Sequence, residues 1–306
     1  MKKSISGMAA VAVLILLLCN PVLSYEGAKR GLLLWSQTIL PSLLPFMICS
    51  NMIVAWDAMH LLTFPLRPLL HQVMRLSDGG SYILIAGLLC GYPMGAKTCS
   101  EFLEDRRITS AEGAYLLSIC NHPSPMFLLG YVASGLDPHL SIVWILIALY
   151  LPILPISLLS RRVYGISKPC KSSKVSTKEK SSFDFTMMNS IEVMVKIGGY
   201  IMLFSILADF LQVLPLHGHA TRAILLGFVE ITTGIQSISS EMEGLQQAFW
   251  MVAITAFGGL SGIFQTKSVL KNAGLSIRHY IMWKLLHSLL SCLVFILLRQ
   301  MFLPVH

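Results

Sequence analysis

The feature that most constrains this chain is a series of apolar stretches long enough to cross a lipid bilayer. A hydrocarbon core about 30 Å thick is crossed by about 20 apolar residues of helix, and at least seven such stretches can be read along the sequence. They predict an all-α polytopic membrane protein with about seven transmembrane helices. Composition agrees: 55% of residues are hydrophobic and 12% are charged, against about a quarter charged in soluble domains. The net charge of +8 comes from Lys and Arg in the loops between apolar stretches. No basic stripe interleaved with exposed aromatics is present, so the charge is a topology signal and no nucleic-acid partner is expected. The seven cysteines are scattered, with no CxxC pair. They suggest neither a zinc site nor a disulfide framework.

Residues 1–30 read as an N-terminal membrane helix or signal anchor: Lys2 and Lys3, an apolar run from Met8 to Cys19, then Asn20 and Pro21. An uncleaved helix is favoured because no A-x-A-like site follows. The segment 38–56 comes next, interrupted by Pro41 and Pro45, which membrane helices tolerate where neighbours satisfy the released carbonyls. A loop over 57–80 carries Arg67, His71 and Arg75. Residues 81–95 are apolar, short for a span, and end in a Gly–Pro–Gly cluster, which reads as a re-entrant or broken helix. After a polar stretch, 113–133 is broken at Asn121–Pro125, and 139–160 is a clean span.

Residues 161–182 hold Arg161, Arg162, Lys168, Lys171, Lys174, Lys178 and Lys180 against a single acid, Glu179. This is the expected cytoplasmic linker. Beyond it lie 191–214, the Gly- and Thr-rich 223–238, 246–266 broken at Gly258–Gly259, and 281–303. With 81–95 and 223–238 re-entrant, one count places the Lys/Arg-bearing loops 57–112, 161–182 and 267–279 on the same side. The order span, re-entrant piece, broken span, span then occurs twice, in 31–160 and 183–306. An odd number of crossings separates the halves, so the repeat is inverted. Ile83–Gly87 faces Ile224–Gly227 in this register, and Ala111–Gly113 faces Met242–Gly244.

Enzyme signatures are missing. Gly91-Tyr-Pro-Met-Gly-Ala-Lys97-Thr98 has the outline of a phosphate loop, but Ala96 separates Gly from Lys and Pro93 removes a donor N–H. There is no HExxH, no GxSxG and no carboxylate pair within one apolar segment, so no catalytic residue, metal or cofactor is expected. What remains is a set of polar residues at membrane depth, where a charge at a helix centre costs about 2.5–3.5 kcal/mol. They are Lys97 beside the break Gly91, Pro93, Gly95; Asn121, His122 and Ser124 at the second break; Glu230, Thr232 and Thr233 before Gly234; and Ser261 and Gln265 after Gly258 and Gly259. A broken helix exposes backbone N–H and C=O groups and the partial charges of its ends, which lets a polar solute bind in mid-membrane. Structural roles compete with this reading: a capping role for His122, a Glu230–Lys97 lock, and close helix packing for the glycines. Asp209 and Lys284, near span ends, read as snorkelling or interfacial.

At these breaks the chain resembles a known family. Gly91–Lys97, Cys120–Phe127, Glu230–Gly234 and Phe257–Gln265 are similar to the nucleoside-recognition, or Gate, domain of the sporulation integral membrane proteins of the YlbJ (SpoVV) type. Four motifs in order, over roughly residues 30–303, carry the likeness. It implies a fold similar to concentrative nucleoside transporters. It also implies a role in spore-forming Firmicutes, moving dipicolinic acid across the outer forespore membrane. His122 and Pro123 depart from the small polar residue and Ser or Gly expected there. A nucleoside or other neutral polar solute, and a non-transporting scaffold, stay open as alternatives, as does a homo-oligomer. The expected partners are a small-molecule substrate and the lipid bilayer.

Overall fold

The computed structural model describes residues 2–166, 183–213, 218–270 and 273–302. Linker residues 167–182 lie outside them. The described residues are helical and contain no strand. In chain order the helices are α1 (Lys2–Cys19), α2 (Pro21–Ala55), α3 (Asp78–Cys90), α4 (Met94–Glu104), α5 (Ser110–Leu117), α6 (Pro125–Gly135) and α7 (Ile142–Val163). The second half holds α8 (Phe183–Val213), α9 (His219–Val229), α10 (Ile231–Glu241), α11 (Gly244–Phe257), α12 (Gly259–Val269) and α13 (Ile277–Phe302). Short helical turns over 59–73 join α2 to α3.

Five helical stretches are long and apolar enough to cross a membrane: α2, α7, α8, the α11–α12 pair and α13. The hydropathy reading counts two more. One is α1, whose apolar part is Ala10–Cys19. The other is 113–133, which divides into α5, an irregular crossing over 118–124, and α6. The chain is an integral membrane protein by these helices, since only lipid accepts so much apolar helical surface. Helix α2 starts well before residue 38, so Lys29 and Arg30 sit on it.

Helices α2 and α8 pack at close range. A Cβ on Gly27 would lie 2.8 Å from Ile206 Cα, and one on Gly31 would lie 2.7 Å from Met202 Cα, so the small residues let the backbones touch. Trp35 Nε1 donates to the Met194 carbonyl at 2.9 Å. Asp209 is buried and forms an ion pair with Arg30 at 2.9 Å, so it locks α2 to α8 instead of reaching toward an interface.

The two segments read as re-entrant are helical hairpins. Helices α3 and α4 have 13 and 11 residues, and α9 and α10 have 11 each. At 1.5 Å per residue each arm reaches roughly 16–20 Å, short of the bilayer core. The expected polar stretch after Lys97 is helical as far as Glu104, since it is the returning arm of the first hairpin. The starts of α3 and α5 are tied together where the buried Glu112 Oε1 accepts from Ser77 N at 2.8 Å. In the second half Asp137 Oδ2 accepts from Gly244 N at 2.8 Å, which ties the start of α11 to the loop after α6.

Candidate functional site

Each hairpin closes on a pair of glycines. A Cβ on Gly87 would stand 2.9 Å from Gly95 Cα and would also strike the Cys120 carbonyl. A Cβ on Gly234 would stand 2.6 Å from Gly227 N. The arms therefore meet backbone to backbone, which brings the tips to a tight turn. The first tip turns at Gly91, with φ +83°, a conformation that side-chain-bearing residues rarely adopt. The second turns at Glu230, in extended conformation, whose side chain caps α10.

The broken spans lie against these tips. Ser124 N lies 2.8 Å from where a Cβ on Gly91 would stand, so the 118–124 crossing touches the first tip. The turn at Gly258 and Gly259, both with positive φ, meets the second: a Cβ on Gly259 would lie 3.3 Å from Ile231 N and from Val229 O. All four irregular segments thus adjoin one another or a hairpin tip.

Three of the four breaks, with Gln265 two turns past the fourth, surround one cavity. Gly91 and Tyr92, Pro123 and Ser124, and Glu230 to Thr232 line it with Gln265, walled by Ile39 and Leu43 of α2 and Ile197 and Ile201 of α8. Its space for water centres is about 40 Å³, room for about three waters. Ser124 Oγ accepts from Phe127 N at 3.2 Å and caps α6, while Glu230 caps α10, so two helix N-termini, with their partial positive charge, begin at this cavity. Glu230 Oε2 takes three donors: Thr232 Oγ1, Thr233 N at 2.8 Å and Thr233 Oγ1 at 3.0 Å. No hydrogen bond reaches its other oxygen among the described residues. Glu230 is the one charged residue that lines the cavity among them.

The remaining expected site residues take other places. Lys97 is buried and its Nζ pairs with Glu101 Oε1 at 2.7 Å, so it meets neither the cavity lining nor Glu230. Pro93 starts α4 and Gly95 lies at the hairpin crossing. Thr233 serves the Glu230 cap, and Ser261 accepts from Gln265 Nε2 at 3.0 Å. Asn121 is a hub: its Nδ2 donates to Thr266 Oγ1 and to Tyr280 OH, both at 2.8 Å, and its Oδ1 accepts from Ala96 N at 3.4 Å. It joins α12, α13 and α4 at one point.

One group that the hydropathy reading placed at an interface is Lys284. It is buried on α13, with its Nζ 3.4 Å from the Asn121 carbonyl, and does not snorkel. Beside it His122 and His287 meet edge to face, with ring centroids 4.4 Å apart. The signal for this was present: Tyr280, Lys284, His287 and Ser291 recur every three or four residues, which places them on one helical face, and all four are buried.

The chain is 25% identical, over 325 aligned positions, to the sporulation integral membrane protein YlbJ of Bacillus subtilis (strain 168). The alignment covers 91% of this chain and 78% of that protein. No protein-family model matches the chain, and no solved structure matches it.

Proposed function

We propose that this protein is a sporulation membrane transporter that moves a small anionic solute, with dipicolinate as the candidate, across the outer forespore membrane. The observation that carries the reading is the meeting of both hairpin tips and the 118–124 break around one cavity, with Gln265 of α12 on its wall. Irregular backbone at membrane depth is tolerated only where it is buried in protein or lines a cavity, and paired discontinuous helices are how transporters build solute sites near the midplane. The recurrence of span, hairpin, broken span and span in the two halves supports an inverted repeat of the Gate type. On this reading α1 and the α5–α6 pair also cross, which gives seven crossings with two re-entrant hairpins. The likeness to a sporulation integral membrane protein supports the setting.

The N-termini of α6 and α10 and the side chains of Ser124, Thr232 and Gln265 supply the polar contacts for a carboxylate. An anion that enters beside Glu230 needs a compensating positive charge, so a proton or cation travels with the solute. The narrowness of the cavity makes this a closed form, which the hairpins open on one side at a time. One observation favours a second reading: with Glu230 as the charged residue of the lining, a neutral polar solute such as a nucleoside also suits the site.

Uptake of radiolabelled pyridine-2,6-dicarboxylate by proteoliposomes, with nucleosides as competitors, tests both. Dicarboxylate uptake that nucleosides leave unchanged supports the first reading. Nucleoside uptake alone supports the second. No uptake of either would leave the protein a membrane scaffold.

A further inference from the structure

We infer that Lys284, His122 and His287 form a proton-carrying site behind the cavity wall, through which a proton crosses with the solute. The inference rests on the transport reading above and names the coupled ion. His122 directly precedes Pro123 and Ser124, which line the cavity, while Lys284 and His287 lie one turn apart on α13. A Cβ on Gly258 would stand 3.8 Å from both Lys284 Cε and Tyr92 Cε1, so the basic group and the cavity-lining Tyr92 adjoin the same glycine turn.

The hydrogen bonding asks for a mobile proton. His287 Nε2 lies 2.8 Å from the Leu149 carbonyl and its Nδ1 lies 3.3 Å from the Ala256 carbonyl. Carbonyls only accept, and a neutral imidazole has one N–H to give. A second proton on His287 therefore completes a bond that the neutral ring cannot make. Both ring nitrogens of His122 are buried without a hydrogen bond of normal geometry among the described residues, the Ile119 backbone offering a weak contact. No ion pair joins Lys284 to a carboxylate among them. The other titratable groups that face this cluster are Tyr280 and Cys120 around Asn121, Tyr150, whose hydroxyl donates to the Pro123 carbonyl at 2.9 Å, and Tyr92 across Gly258. α11 and α12 contribute backbone carbonyls and hydroxyls there. Three bases with no acid repel one another's charge, so the proton count of the group responds to any shift of 118–124 relative to α13. In each cycle an N–H bond forms with a proton from water on one side and breaks to water on the other. One proton crosses and no other bond changes.

The test uses proteoliposomes of the full chain holding a pH dye and radiolabelled pyridine-2,6-dicarboxylate, with two readouts: accumulation driven by a pH gradient, and solute exchange with no gradient. Wild type is expected to accumulate about tenfold per pH unit for one proton per solute, with matching dye response. Lys284→Met and His287→Gln are expected to abolish that accumulation while exchange stays within about twofold, since exchange needs binding and the conformational cycle but no net proton. Lys284→Arg, always charged, should also exchange without accumulating, and it guards against a variant that fails to fold. Wild-type uptake indifferent to the gradient overturns the inference and leaves transport standing. Parallel loss of exchange and accumulation in variants that elute as folded protein also overturns it, because the group then only pins α13. Wild type that moves no solute at all removes the transport reading and this inference with it.

Discussion

Asn121→Ala separates a structural hub from a solute ligand, and the structure sets the size of its effect. The substitution removes two buried hydrogen bonds at 2.8 Å, to Thr266 Oγ1 and Tyr280 OH. Interhelical hydrogen bonds in membrane proteins average about 0.6 kcal/mol each by double-mutant cycles, so the pair contributes about 1.2 kcal/mol. It also removes the acceptor of Ala96 N in the first turn of α4, a 3.4 Å contact that acts as a side-chain cap, worth about 1 kcal/mol. The cost of stranded groups is limited, because Thr266 Oγ1 already lies 3.4 Å from the Tyr280 hydroxyl and the two can close on each other. The total is about 2–3 kcal/mol. At roughly 2–4 °C per kcal/mol, the apparent melting midpoint in detergent should fall by about 4–12 °C at a fixed scan rate. The assay is tryptophan fluorescence on heating, run beside uptake in liposomes. A midpoint that moves by less than about 1 °C while uptake vanishes would refute the reasoning, since Asn121 would then act on the solute and not on the packing of α4, α12 and α13.

Three further outcomes follow from the same geometry. Gly234→Val places a branched side chain 2.6 Å from Gly227 N, an overpacking that costs about 1–3 kcal/mol or more; the yield of monodisperse protein should drop sharply, whereas Gly130→Val, which meets nothing within 4 Å, should leave it unchanged. Lys97→Met should keep uptake within about twofold per folded molecule, because the lysine is occupied in an i,i+4 pair with Glu101 and does not line the cavity; loss of uptake with normal melting would place Lys97 at the solute. The backbone N–H groups of His139 and Gly244 hold the Asp137 carboxyl below its ordinary value of 3.8. A depressed folded-state pKa contributes stability that is complete above the unfolded value and is lost as pH falls through the folded one. The gap between the melting midpoints of wild type and Asp137→Asn should therefore begin to close only as pH falls below about 4 and go on closing toward the depressed folded-state value, and a gap that widens as the pH falls further would contradict the assignment.

The breaks were legible because Gly, Pro and polar residues inside apolar runs contradict the surrounding pattern. Gly91, Asn121–Pro125, Glu230 and Gly258 each stand where a helix does stop. Partnership was not legible, because it depends on which way a side chain leaves its helix. Lys97 sits one turn before Glu101 on the same arm, a local pairing that the spacing allows, yet the lure of a mid-membrane acid pointed to Glu230. Lys284 was misplaced for the opposite reason: in a long apolar span a lone lysine near one end has the appearance of a snorkelling residue. Only the polar stripe Tyr280, Lys284, His287, Ser291 reveals that this face of α13 turns inward. The segment read as 38–56 extends back to Pro21 as one helical stretch, in which Lys29 and Arg30 are tolerated because Arg30 meets Asp209 of α8.

The two halves share a backbone plan but divide the chemistry unequally, and the division ties the cavity to the basic cluster. Most polar cavity groups come from the second half, with Glu230, Thr232 and Gln265, while the first half contributes Tyr92, Pro123 and Ser124. Lys284 and His287 also belong to the second half, yet their neighbours His122 and the Asn121 carbonyl belong to the first. Residues 121–124 therefore present one face to the cavity and the other to α13. Four consecutive side chains carry the link: Asn121 anchors to α12 and α13, His122 meets His287, and Pro123 with Ser124 lines the cavity. A rigid displacement of this short segment cannot open the cavity without also changing the spacing of His122 from His287 and of the Asn121 carbonyl from Lys284. On the transport reading proposed above, solute access and proton occupancy are set by the same few peptide units, which is the physical requirement for coupling two flows without a separate signal between them.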